Sequence, residues 1–183
     1  METAFNVYEW KECPVDMLRD FALANVSGSH KTCETHEVPQ VFKDYAASII
    51  EGEQGYEVDH WMYWISELES VDTVASCDPN HDKEWQLKFP HTHQWDGRTM
   101  ILYLQVPKVG GALVILDADM NETDRFETKV GWAAVMNDHA IHGVKAIRGG
   151  PNRVTMIAGA YPYPPGSPKC RCPDQHLIPR VTN

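Results

Sequence analysis

Pro90-His91-Thr92-His93-Gln94-Trp95-Asp96-Gly97-Arg98-Thr99-Met100-Ile101-Leu102-Tyr103-Leu104-Gln105 is the stretch that decides how this chain is read. Two histidines one residue apart lead through an Asp-Gly turn dipeptide into an apolar run. In an extended strand residues i and i+2 face the same side, so His91 and His93 can present both imidazoles to one ion. Further on, Asn137-Asp138-His139-Ala140-Ile141-His142-Gly143-Val144 adds His142 at the start of another apolar run. His142 reaches the first pair only if the two strands are neighbours. Neutral imidazole suits iron, zinc, copper and nickel, so the histidines by themselves leave the metal open.

Outward from this stretch, short β-rich runs follow one another from Glu84 onward, at 85–89, 99–106, 112–116, 125–129, 132–136, 144–147 and 154–160. Turn residues separate them, among them Asp96-Gly97, Gly110-Gly111, Asn137-Asp138 and Gly149-Gly150. Many short strands at regular spacing predict a sandwich, barrel or jelly roll. The N-terminal part predicts helices over 14–23, 38–50 and 57–68. Their apolar stripes are Met17, Leu18, Phe21 and Leu23, then Val41, Tyr45, Ile49 and Ile50, then Trp61, Trp64 and Ile65. Pro39 suits the first turn of the second helix. The expected organisation is one domain over 1–183: a helical support region at 1–83, a β core at 84–161 and a Pro-rich C-terminal tail at 162–183.

At 183 residues and 43% hydrophobic content the chain can build one sizeable core. A formal net charge of −10 argues against nucleic acid as a partner, because phosphates need clustered Lys and Arg. No apolar run approaches the roughly 20 residues that cross a bilayer, and residues 1–10 are too polar and acidic for a signal peptide. Five cysteines at irregular spacing, without an export signal, predict reduced thiols and a cytoplasmic location.

Residues 90–105 resemble the first half of the prolyl-hydroxylase-like branch of the Fe(II)/2-oxoglutarate oxygenases. That family runs His-x-Asp, a short turn, and an apolar strand ending in Tyr-Leu-Asn. Pro107-Lys108-Val109-Gly110-Gly111-Ala112-Leu113-Val114-Ile115 is similar to its next element, a Gly-Gly turn into a strand. His142-Gly143-Val144-Lys145-Ala146-Ile147-Arg148-Gly149-Gly150-Pro151-Asn152-Arg153-Val154-Thr155-Met156 resembles its last element: distal His, a Gly turn, then Arg before a closing strand. The likeness covers about residues 85–160. It implies a mainly β fold with α support, a double-stranded β-helix (a cupin-like jelly roll) preceded by N-terminal helices.

The same resemblance implies a dioxygenase that uses Fe(II), O2 and 2-oxoglutarate to hydroxylate a C–H of a small molecule or peptide residue. His91 and His142 would be metal ligands. Arg153 would pair with the distal carboxylate of 2-oxoglutarate, its planar fork matching a carboxylate, with Tyr103 and Thr155 beside it. Trp95 and Arg98 flank the metal position and can serve either substrate or framework. Where the family has Asp or Glu two residues after the first His, this chain has His93. Three readings stay open: a three-histidine site with His93; Asp96 swinging back to complete two histidines and a carboxylate; or no ligand from position 93. Halogenating relatives carry a small residue there, which histidine is not. An imidazole in place of a carboxylate makes the metal site one unit more positive, which favours anionic ligands.

Two other clusters carry weaker signals. His30, Cys33 and His36 fall in a polar stretch between helices, and Cys170, Cys172 and His176 make half a zinc site with no second pair. His139 reads as a surface or supporting residue, since spacing to Arg153 favours His142 as the ligand. Two other functional classes remain: a three-histidine cupin-type dioxygenase without 2-oxoglutarate, and a non-catalytic binding module on the same scaffold.

Overall fold

The computed structural model describes residues 5–26, 30–33, 37–55, 57–70, 84–86, 90–92, 97–137 and 139–162. Helix α1 (Val15–Asn25) starts behind Pro14, whose carbonyl accepts the Leu18 amide at 3.0 Å. It buries Leu18 and Ala22, one turn apart, while Met17 and Leu23 of the expected stripe are exposed. Helix α2 (Gln40–Gln54) follows Pro39 and buries Phe42, Ala46 and Ile50 at successive four-residue steps. Gly55 ends it in a left-handed conformation (φ 76°) that an L side chain rarely adopts.

The third expected helix is a strand. Residues 60–68 form β3 (His60–Leu68), fully paired with the last strand from His60↔Tyr161 to Leu68↔Arg153. Trp61, Tyr63 and Ile65 pack with the helices, while Trp64 packs into a second cluster on the other face. Both faces are covered, so the polar alternation that marks a half-exposed strand is missing. The remaining strands are β1 (Phe5–Glu9), β2 (His30–Cys33), β4 (Arg98–Gln105), β5 (Leu113–Leu116), β6 (Glu122–Phe126), β7 (Trp132–Asn137), β8 (Ile141–Val144) and β9 (Arg153–Tyr161). β1 and β2 were not expected, and β6 and β8 each begin three residues before the predicted runs. Of the expected strand at 85–89, residues 87–89 lie outside the described residues, as do residues 163–183 of the expected tail.

A six-stranded antiparallel sheet has the order β1-β7-β4-β9-β3-β2, and a three-stranded sheet the order β6-β5-β8. Bridges Trp85↔Lys145 and His91↔His142 extend the smaller sheet along the free edge of β8. Residue parity divides the large sheet. Met100, Leu102, Leu104, Ala133, Val135, Val154, Met156 and Ala158 face the helices, completing one core with Leu18, Phe42 and Ile50. Ile101, Tyr103, Ala134, Met136 and Ile157 face the smaller sheet and meet its Leu113 and Phe126 in a second core. Burying a side chain such as Phe42 (0% exposed) stabilises the fold by about 1.5–3 kcal/mol. No helix among the described residues is long and apolar enough to cross a membrane.

The Gly-Gly turns fasten one end of this arrangement. Gly110, Gly111, Gly149 and Gly150 all have φ between 79° and 91°. A Cβ on Gly110 would sit 1.8 Å from the Ala146 carbonyl oxygen, and one on Gly150 would sit 2.6 Å from the Lys108 nitrogen. The β4–β5 and β8–β9 connections therefore press backbone on backbone, joined by the Arg148 amide donating to the Val109 carbonyl at 2.9 Å. The second connection delivers Arg153 to the start of β9.

Candidate functional site

The two histidines on the smaller sheet are direct partners. The His91 amide donates to the His142 carbonyl at 2.8 Å, and the His142 amide returns a bond to His91 at 2.9 Å. Residues paired in this way across antiparallel strands point to the same face. His142 is also opposite Ile115, which shares a face with Leu113 of the inner core. Both rings therefore look toward the large sheet, with centroids 4.4 Å apart and planes inclined by 57°. Gly143, pointing the other way, leaves room for Trp85: a Cβ there would lie 2.7 Å from the indole.

His142 is buried, and its Nδ1 lies 2.9 Å from the Ala140 carbonyl oxygen. A carbonyl oxygen only accepts, so Nδ1 carries the hydrogen, and in the neutral ring the lone pair then falls on Nε2. A backbone carbonyl that fixes the ring and tautomer in this way is the usual support of a metal-binding imidazole. Sequence reading missed Ala140, because any residue can supply a carbonyl.

Across the interior, Arg153 is 3% exposed on the inner face of β9. Its guanidinium carbon lies 4.9 Å from the centre of the Tyr103 ring, and Nη2 donates to the Tyr103 hydroxyl over a long 3.4 Å. Its Nε is buried without a hydrogen-bond partner. Among the described residues no carboxylate pairs with this guanidinium. Burial raises the Tyr103 pKa, only partly opposed by the Arg153 charge, so the phenol stays neutral and keeps a proton to donate. Thr155, opposite Tyr103 in register, spends its hydroxyl on the Ser66 carbonyl at 3.4 Å.

The other expected residues divide. Arg98 has the parity of Met100 and Leu102, on the helix side of the sheet, and is held there by the Glu53 carboxylate. His139 is exposed in the turn before β8. His93, Trp95 and Asp96 lie outside the described residues, as do His36, Cys170, Cys172 and His176. Among the described residues, no group of three His, Cys, Asp or Glu side chains is arranged to hold a metal ion. The residues that are described nevertheless suit Fe(II) and 2-oxoglutarate: paired imidazoles with one tautomer fixed, and a buried guanidinium with an unpartnered nitrogen.

Comparison with solved structures places this arrangement among known folds. A prolyl-4-hydroxylase from Pseudomonas putida superposes with a TM-score of 0.53 at 13% identity, covering 87% of this chain and 93% of that one. The chain shares its fold. HygX from Streptomyces hygroscopicus, solved with nickel and 2-oxoglutarate bound, gives 0.52 at 10% identity over 88% of this chain and 84% of HygX. The same protein with iron bound gives 0.53 at 12% identity, over 88% and 83%. No protein-family model matches the sequence, and comparison with curated proteins finds no match.

Proposed function

We propose that this protein is an Fe(II)/2-oxoglutarate-dependent dioxygenase that hydroxylates a C–H bond of a small molecule or peptide residue. The observation that carries the proposal is Arg153: a buried guanidinium with an unpartnered Nε, beside a neutral phenol and facing a sheet that carries two register-paired histidines. A buried charge without a counter-ion is costly, and a ligand carboxylate would supply both the charge and the missing acceptor. The fold shared with a prolyl-4-hydroxylase and HygX supports the reading.

The same reading makes the sheets a double-stranded β-helix. Its strands would include β3 and β4 through β9, with the bridges at Trp85 and His91 beside β8, and with β1, β2 and the helices added to the large sheet. The whole of 1–183 would form one domain, and its cysteines would stay reduced in the cytoplasm. His91 and His142 would hold the metal through their lone-pair nitrogens, with His93 or Asp96 as third ligand. Bound Fe(II) and 2-oxoglutarate would supply the chemistry that activates O2 and oxidises the substrate. The chain's own work is to orient and enclose. Arg153 and Tyr103 would grip the far carboxylate, the Ala140 carbonyl would hold the His142 ring, and the inner core would keep water away.

Anaerobic addition of Fe(II) and then 2-oxoglutarate to the metal-free protein tests this. A weak visible charge-transfer band that needs both additions, and that is absent in Arg153→Ala while Fe(II) binding persists, is the expected result. Iron binding without the band would point to a three-histidine dioxygenase that does not use 2-oxoglutarate. No iron binding would leave a non-catalytic scaffold.

A further inference from the structure

We propose that a hollow at the open end of the two sheets binds a cationic group of the substrate, an ammonium or a guanidinium. This substrate class rests on the oxygenase reading above. The place of the hollow follows from the chain path. The Gly-Gly turns join β4 to β5 and β8 to β9, so β4 and β8 end, and β5 and β9 begin, at one end of the sheets. Arg153 lies at that end, as the first residue of β9. His142, near the start of β8, and Tyr161, the last residue of β9, lie toward the other. The nine residues of β9 extend over about 26 Å, at roughly 3.3 Å per step. A five-carbon co-substrate gripped by Arg153 covers only part of that length, which leaves the Tyr161 end for the substrate.

Tyr161 connects the hollow to the interior. It has the parity of Ile157, on the inner face of β9, and is 3% exposed. Gly159 makes room for it: a Cβ there would lie 2.1 Å from the Tyr161 hydroxyl oxygen, so the ring lies back along the inner face. The same residue walls a hollow of about 220 Å³ with Gln54, Glu57, Asp59 and His60, where α2 gives way to β3. Sites that enclose a whole drug-sized ligand run to about 300–1,000 Å³, so this one suits a single group of a larger molecule. Its lining sets the sign of that group. Glu57 and Asp59 are exposed, and among the described residues no cation pairs with either. Arg98, in register with Ala160 of the same wall, is already held by Glu53. No Lys or Arg is among the described lining residues, while Gln54 and His60 add polar atoms. An anion here would meet two carboxylates; an ammonium or guanidinium brings donors to both. The chain's net charge of −10 draws cations in the same sense.

The test uses the full chain and hexylammonium as probe, with hexan-1-ol and hexanoate as neutral and anionic controls of equal chain length. Equilibrium dialysis of the metal-free protein should show hexylammonium bound more tightly than either control, and less tightly as salt is raised. Combining Glu57→Gln with Asp59→Asn should weaken that binding about tenfold, the joint effect of two exposed ion pairs. Both positions are exposed, so the double variant should unfold in urea at the midpoint of the unsubstituted protein. In a second arm, with Fe(II), 2-oxoglutarate and air, succinate release should rise with a panel of hexylammonium, lysine and arginine, and not with the controls. Equal binding of the three probes, or unchanged hexylammonium affinity in the double variant, overturns the proposal. So does succinate release that no member of the cationic panel raises, since the hollow would then stand apart from the substrate's path. Absence of the visible band with Fe(II) and 2-oxoglutarate would instead remove the oxygenase reading, and the substrate role with it, whatever the dialysis shows.

Discussion

Replacing Arg153 by methionine should make the ligand-free protein more stable while abolishing its response to 2-oxoglutarate. The guanidinium is 3% exposed, and taking such an ion out of water costs several kcal/mol even after the surroundings relax. Two contacts return part of that. The Tyr103 ring at 4.9 Å offers a desolvated cation–π contact of about 2 kcal/mol. The 3.4 Å bond to the Tyr103 hydroxyl is beyond the normal hydrogen-bond range and returns little. Nε returns nothing. Methionine fills similar length with apolar surface, so the metal-free variant should gain about 1–3 kcal/mol, in line with other replacements of buried ionic groups.

With Fe(II) present and 2-oxoglutarate at about 100 times its dissociation constant, the unsubstituted protein should gain about 2.7 kcal/mol over its Fe(II) form. The variant should gain almost none. Anaerobic urea unfolding, run metal-free, with Fe(II), and with Fe(II) plus 2-oxoglutarate, reads both changes. A metal-free Arg153→Met protein less stable by more than about 1 kcal/mol would refute the reasoning, because a loss of that size means the guanidinium is satisfied within the fold. A full response to 2-oxoglutarate in the variant would refute the carboxylate grip separately.

Three further outcomes follow from named residues. If His93 is the third ligand, His93→Ala should lose Fe(II) affinity while Asp96→Asn keeps it; the reverse pattern in dialysis assigns the carboxylate. Gly110→Ala should destabilise by about 3 kcal/mol, combining left-handed strain with a Cβ 1.8 Å from the Ala146 oxygen. Gly149→Ala, at φ 87° but with nothing within 4 Å, should cost only the strain, about 1–2 kcal/mol; equal losses on urea unfolding would contradict the backbone contact. Burial pushes Tyr8, Tyr45 and Tyr63 up to about 12 in the folded protein, from about 10 when unfolded. A raised pKa favours the neutral phenol in the fold, so this stability is complete below pH 10 and is lost as pH rises toward 12. Tyrosinate absorbance and the urea midpoint, followed together, should change over that same window.

The sequence displayed some of this and concealed the rest for physical reasons. The strands from 99 onward were legible because apolar runs alternate with Gly and Asn-Asp turns, and β4, β5, β7 and β9 lie within a residue or so of the expected runs. β6 was misplaced because four of its five residues are exposed, which leaves no periodic signal. Trp61, Trp64 and Ile65 satisfy helical spacing and so predict a helix at β3, whereas the chain uses period 2 there with both faces covered. Histidine spacing singles out His91 and His93, the family resemblance adds His142, and only the register shows the backbones of His91 and His142 hydrogen-bonded to each other.

Glu53 was invisible for a different reason. It stands 45 residues from both Tyr8 and Arg98, and an acid at the end of an amphipathic helix reads as solvated. Only the tertiary fold brings it to Asn6 and Tyr8 of β1 and to Arg98 of β4, at the centre of a part-buried polar cluster. The parity of β4 then decides what Arg98 is for. One step along the strand reverses the face, so Arg98 serves the helix layer while Tyr103, an odd number of residues later, serves the interior. Residues close together on one strand can thus belong to separate layers, one lining the interior and the other fastening the helices. The two kinds of residue should fail differently on urea unfolding: loss of Arg153 relieves a buried charge, whereas loss of Glu53 leaves Arg98 without its carboxylate and releases α2 from β1 and β4.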